Sequence, residues 1–165
     1  MPSFVQFDGS ADYSTRTFPF GGLETPTVGT WSAWIKGDAG SVFMAIGNTA
    51  ANTQVMLQTI TAGTNILRGF CSNAGTTKWD LRTTAGISLN QWVHVVMTHD
   101  GATPVLYVNG TAVAQSFTDN TDVTFWVNDL TTPNVFRVGA NATNSIAYYT
   151  GMIGDVTIYD ICLTA

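Results

Sequence analysis

The chain has 165 residues, only 10% of them charged, and a formal net charge of −5. That length fits one domain with its own core, so residues 1–165 are expected to form a single domain. The six lysines and arginines stand singly along the chain, leaving no cationic cluster to displace phosphate counterions, which excludes nucleic acid as a partner.

Further exclusions follow from the absence of two patterns. No run approaches the ~18 apolar residues of a membrane-crossing helix, so no membrane partner is expected. The opening "MPSFVQFDGS" lacks a basic segment followed by an apolar one, so synthesis in the cytoplasm without a secretion signal is expected.

Along the chain, apolar residues recur with period two. Predicted strands are Ser41–Gly47, Gln54–Ile60, Asn65–Cys71, Lys78–Arg82, Trp92–His99, Pro104–Gly110, Val123–Val127, Asn134–Ala140 and Gly154–Asp160. They are rich in Val, Ile, Thr and aromatic residues, which suit a pleated, half-buried surface. Short clusters of Gly, Asn, Thr and Ala separate them, and no segment keeps a 3.6-residue apolar period. The pattern predicts an all-β antiparallel sandwich or barrel.

The stretch from Asn90 to Ala114 contains both histidines. Trp92, His94, Val96 and Thr98 share one face of a strand, and Val93, Val95, Met97 and His99 share the other. Asp100-Gly101 supplies a turn, and Asn109-Gly110 is a type I′ hairpin signal, so the stretch reads as a three-stranded meander. His94 is then a hydrogen-bonded residue inside a strand, and His99 caps a strand end. Two histidines on opposite faces cannot share a zinc ion. Cys71 and Cys162, with no metal-ligand spacing, are expected to be two buried thiols, with a disulfide between them as the alternative.

The ordered motifs "FVQFDGSADY", "WSAWIK", "WVHVVMTHDG" with "LYVNG", "FRVGA" and "YTGMIGDVTIYDICLT" resemble the laminin-G-like branch of the concanavalin A-like lectin and glucanase superfamily, from Phe4 to Leu163. The resemblance implies a two-sheet antiparallel jelly-roll sandwich. It implies that Phe4–Phe7 pairs near Val156–Tyr159, that Trp31 and Trp34 anchor a sheet strand, and that Leu163 tucks over the core.

The superfamily includes glycan hydrolases, which need two flanking carboxyl groups. The only glutamate here is Glu24, in a loop, and no strand carries paired aspartates. No G-x-S-x-G elbow surrounds Ser32 or Ser41. No catalytic residues are therefore assigned, and a glycan hydrolase is a remote alternative. No cofactor is required. Ca²⁺ is compatible with the hard oxygens of Asp119, Asp122 and Asp129, with Asp8 and Asp12 as further candidates. Sugar contacts implied by the resembling lectins fall on Trp126, Tyr148, Tyr149, Asn141 and Asn144.

Two functional expectations result. The first is a non-catalytic virion decoration or tail-accessory protein of a bacteriophage. It would sit at the virion surface or outside the cell, as a homo-oligomer (a trimer by preference), and bind a capsid or tail assembly. Its poverty of charge makes a surface cheap to cover, and the loop residues Phe18, Pro19 and Phe20 are the candidate interface. The second is a lectin-like module that recognises a cell-surface glycan.

Overall fold

The computed structural model describes residues 3–19, 21–37, 40–61, 64–143 and 147–164. Two antiparallel sheets pack face to face. The six-stranded sheet has the order β1 (Phe4–Asp8), β13 (Thr150–Tyr159), β3 (Gly29–Gly37), β8 (Val93–His99), β9 (Pro104–Val108), β10 (Thr111–Ala112). The seven-stranded sheet has the order β11 (Gln115–Asp119), β7 (Thr76–Thr83), β6 (Asn65–Asn73), β5 (Thr53–Thr61), β4 (Val42–Asn48), β12 (Val135–Val138), β2 (Ser14–Thr17).

The period-two reading explains the core. On β8, Val93, Val95, Met97 and His99 are buried, whereas His94 and Val96 face outward and are partly exposed. Trp31, Ala33 and Ile35 of β3 join them from one sheet, and Phe43, Ile46, Val55, Leu57, Leu67, Trp79 and Leu81 meet them from the other. The meander forms as expected. Asn109 and Gly110 adopt φ of +51° and +77°, which is the conformation a type I′ turn demands, and Val108 pairs with Thr111 across it. The Asp100 carboxylate accepts the Ala102 and Thr103 amides at 2.9 and 2.8 Å and fixes the preceding turn.

His99 caps the end of β8 from inside the core. Its Nδ1 accepts the Gly101 N–H at 3.0 Å, so Nε2 carries the proton and donates to the Val123 carbonyl at 2.9 Å. Burial lowers its pKa from the ordinary 6.5, against smaller opposing effects of the Val123 bond, Asp100 and Asp129. Cys71 is buried in the core, Cys162 is half-buried, and both are free thiols.

Three expectations are corrected. Residues 123–127 form no strand but lead into a 3-10 helix, Val127–Asp129. Side chains capture this backbone instead of a ladder: Asp122 accepts the Thr124 amide and hydroxyl, and Asp129 accepts the Trp126 amide at 3.0 Å. The first strand does pair with the last, but Phe4 faces Gly154 and Phe7 faces Gly151, short of Val156–Tyr159. Gly154 permits the close approach, because a Cβ there would lie 2.8 Å from the Ser3 carbonyl oxygen. Finally, Leu163 does not reach the core. The Thr30 hydroxyl donates to Ile161 O and accepts Leu163 N–H, both at 2.9 Å, and holds residues 161–163 across the outer face of the six-stranded sheet. Ile161 is accordingly 53% exposed and Leu163 38%.

Candidate functional site

Register places the polar face of the seven-stranded sheet. Gln58, Arg68, Arg82 and Ser116 lie in one row across β5, β6, β7 and β11. Arg137, Ala45, Met56, Phe70 and Asp80 form the next row across β12, β4, β5, β6 and β7. Alternation sends all of these side chains away from the core. The face is nonetheless recessed, since Met56, Gln58 and Asp80 are buried although no second sheet covers them. Ala142 packs near Val42, Ala45, Met56 and Val135 in a small apolar cluster at the β4 and β12 side.

At the centre of the exposed part, one carboxylate holds two guanidinium groups. Arg68 donates Nε and Nη2 to the two Asp80 oxygens at 2.8 and 2.7 Å. Arg82 does the same at 2.9 and 2.6 Å. Burial alone would raise the Asp80 pKa. The hydrogen bonds from Arg82 and Arg68, with their charges, outweigh it and hold the carboxyl well below the usual carboxylate range. The trio carries a net charge of +1. A guanidinium has five N–H donors and each gives two to Asp80, so three remain on each. The Arg68 side chain is 17% exposed and that of Arg82 31%. Arg68 also lies 4.3 Å above the Phe70 ring.

A third guanidinium stands three strands across from Arg68 and one row along, with backbones about 16 Å apart at ordinary strand spacings. Arg137 donates to the Asn141 carbonyl at 2.9 Å and lies 5.0 Å over the Tyr13 ring. Three of the four arginines of an acidic chain thus share one sheet face. What this arrangement can do is bind an anion. Fixed guanidinium planes with unused donors match the geometry of a carboxylate. Sequence reasoning missed this site. A signal was present in the charged residues interrupting the predicted strands "NILRGFC" and "KWDLR", but their convergence depends on register.

The sequence-derived sugar contacts fare differently from one another. Trp126 is 1% exposed and packed among Trp31, Trp79 and His99, so its covered faces offer no sugar platform. Tyr149 is buried edge-on against Phe7 and Phe43. Asn141 is engaged in its own loop, with its side chain reaching Thr143 Oγ1 at 3.0 Å and the Ala147 amide at 3.0 Å. Tyr148, on the opposite face from Tyr149, stays partly exposed with its ring 6.1 Å from that of Tyr13. Asn144 lies outside the described residues.

The other candidates are scattered. Asp119 Oδ1 accepts from Thr121, Asp122 Oδ1 from Thr124, and Asp129 from Trp126 and Asn128. Asp8 and Asp12 fold back on residues 8–10. Among the described residues, no three His, Cys, Asp or Glu side chains converge as a metal site. Asp119, Asp122 and Asp129 each accept hydrogen bonds within their own turns. Glu24 accepts the Gly22 amide within its own loop. Phe18 is 44% exposed and Pro19 is exposed beside it, and Phe20 lies outside the described residues.

Comparison with solved structures gives the same architecture. The chain is similar to the CBM40 of the Ruminococcus gnavus IT-sialidase, solved bound to α2,3-sialyllactose, with TM-score 0.74 and 16% identity over 98% of this chain and 94% of that one. It is similar to a heptameric SAP-like pentraxin from Limulus polyphemus, with TM-score 0.66 and 16% identity over 98% and 77% of the two chains. It is also similar to tailspike protein 2 of the Escherichia coli O157:H7 bacteriophage CAB120, with TM-score 0.58 and 14% identity, over 96% of this chain and 26% of the tailspike. No curated protein matches it in sequence. Residues 8–165 match the laminin-G-like family pattern, and the chain belongs to the concanavalin A-like lectin/glucanase superfamily.

Proposed function

We propose that this protein is a glycan-binding module that takes an acidic sugar on the outer face of the seven-stranded sheet. The observation that carries the reading is the Arg68–Asp80–Arg82 trio. Asp80 fixes both guanidinium planes before any ligand arrives, so little side-chain entropy is lost on binding. A sugar carboxylate receives the remaining N–H donors, while Phe70 offers an apolar surface and Gln58 an amide in the adjoining rows. The likeness to a CBM40 solved with sialyllactose supports an acidic glycan. Titration with α2,3-sialyllactose and with lactose, followed by calorimetry, tests it. Sialyllactose should bind, lactose should bind at least ten-fold more weakly, and Arg82→Gln should remove the difference while leaving the melting temperature within about 2–4 °C. Equal affinities for the two sugars, or an unaffected Arg82→Gln variant, would sink the reading.

A second reading concerns where the module works. The tailspike likeness favours attachment to a phage particle, and exposed Phe18 with Pro19 supplies an apolar contact. The two readings are compatible, because a particle that carries a sugar-binding module gains adhesion. Co-sedimentation with purified particles checks this, with Phe18→Ser expected to abolish it. Light scattering checks the homo-oligomer, and a monomer throughout the micromolar range would remove the trimer.

A further inference from the structure

The opposite side of the molecule carries a groove of different chemistry. On the outer face of the six-stranded sheet, Ser32, Val96 and Tyr107 form one row, and Tyr159, Thr30 and Thr98 the next. The chain end held by Thr30 forms one bank through Leu163 and Thr164, and Tyr107 forms the other. The cavity between them is about 290 Å³, at the lower end of small-ligand pockets, which run from ~300 Å³ upward.

Its floor is polar and its walls are aromatic or aliphatic. Ser32 Oγ and His94 Nε2 lie 2.8 Å apart, and the imidazole rests against the Trp34 ring at 5.0 Å. Burial keeps the His94 pKa below its ordinary value, so the ring is neutral at pH 7. Thr98 is only 4% exposed, yet its side chain lines the groove. None of the lining side chains is a carboxylate, a lysine or an arginine.

We infer that this groove is a second glycan site, which holds one uncharged sugar ring. A pyranose presents apolar C–H faces and hydroxyl edges. The edges meet Ser32, His94 and Thr98, and the faces meet Tyr107, Tyr159 and Leu163. An anionic sugar finds no cation here, and a purely apolar ligand would leave the floor unsatisfied. Hydrolysis is not implied, since no nearby charged group perturbs His94 and the arrangement lacks the acid of a triad. The site is independent of the arginine trio on the other sheet.

The test is an amide-shift titration of the ¹⁵N-labelled chain with the methyl glycosides of glucose, galactose, mannose, N-acetylglucosamine and N-acetylgalactosamine. Glycerol serves as the control. At least one glycoside should give saturable shifts at Ser32, His94, Thr98 and Tyr107, with Kd on the order of 1 mM. Ser32→Ala and Tyr107→Ser should each weaken it at least ten-fold, whereas Arg82→Gln should leave it unchanged. If Ser32→Ala fails to fold, Tyr107→Ser decides, because that ring is a partly exposed wall. The inference is overturned if no glycoside shifts these amides up to about 100 mM (~100-fold above such a Kd), if glycerol shifts them equally, or if both variants bind as before.

Discussion

Trp126→Ala distinguishes a core residue from a sugar platform. The ring is 1% exposed, its centroid lying 4.7 Å from that of His99, 5.6 Å from Trp31 and 6.3 Å from Trp79. Truncating a buried tryptophan costs about 3–5 kcal/mol, the transfer loss plus the cavity left behind. The lost aromatic contacts place this site toward the upper end, at ~0.5–1.5 kcal/mol per pair. Total stability for such a domain is about 5–15 kcal/mol. With roughly 2–4 °C lost per kcal/mol at this size, the melting temperature should fall by about 6–20 °C. Chemical denaturation monitored by circular dichroism supplies the free energy, and a thermal scan supplies the midpoint. Sialyllactose titration of the folded fraction should show unchanged affinity, since Trp126 lies on the other side of the seven-stranded sheet. A variant that kept the wild-type midpoint but lost the sugar would refute the burial argument and restore Trp126 as a platform.

Stability should fall with pH through His99. Its folded pKa is lowered, so the unfolded chain binds the proton more readily. The contribution is whole above the ordinary value of about 6.5 and is lost as pH drops below it, at no more than ~1.4 kcal/mol per pH unit; a denaturation series from pH 8 to pH 5 that stayed flat would contradict this. Asp80→Asn should weaken sialyllactose binding at least ten-fold, because an amide cannot hold two guanidinium groups in one plane, and an NMR or calorimetric titration reads the loss. Asp80 has the opposite linkage from a raised group: its lowered pKa gives stability that is present above 3.8 and lost in stronger acid. Deleting residues 160–165 should cost only the two Thr30 hydrogen bonds, about 1–3 kcal/mol, whereas deleting residues 150–165 should abolish cooperative melting, because β1 then has no partner.

Local rules reach some of these features and not others. The Asn109-Gly110 turn needs only two positive φ values, and the alternation of β8 needs only a period, so both are legible in a few consecutive residues. Pairing of the first and last strands follows from the family resemblance, but its register does not. A bulge between Gly154 and Thr157 and the close approach at Gly154 displace it toward the start of β13. "VTFWV" alternates like a strand, yet Asp122 and Asp129 bind its backbone from outside the window. The arginine trio is the clearest case. Asp80 and Arg82 are two residues apart, but Arg68 arrives only because β6 sets it opposite Arg82. A charge inside a strand shows that a face is polar, and register alone shows which charges meet there.

The strand order also sets a timetable for synthesis. β13 lies between β1 and β3, so Phe4–Asp8 cannot pair until residues 150–159 have been made. At roughly 5–20 residues per second, the first strand waits about 8–30 s with both backbone edges open. It carries Phe4, Val5 and Phe7, a segment suited to pairing with another nascent chain. β3 meanwhile has β8 on one side and nothing on the other. The seven-stranded sheet is less delayed, since β4 to β7 are consecutive hairpins. Slow translation ahead of residues 150–159, or a ribosome stalled before Thr150, should therefore send this protein toward aggregates even though its sequence is unchanged.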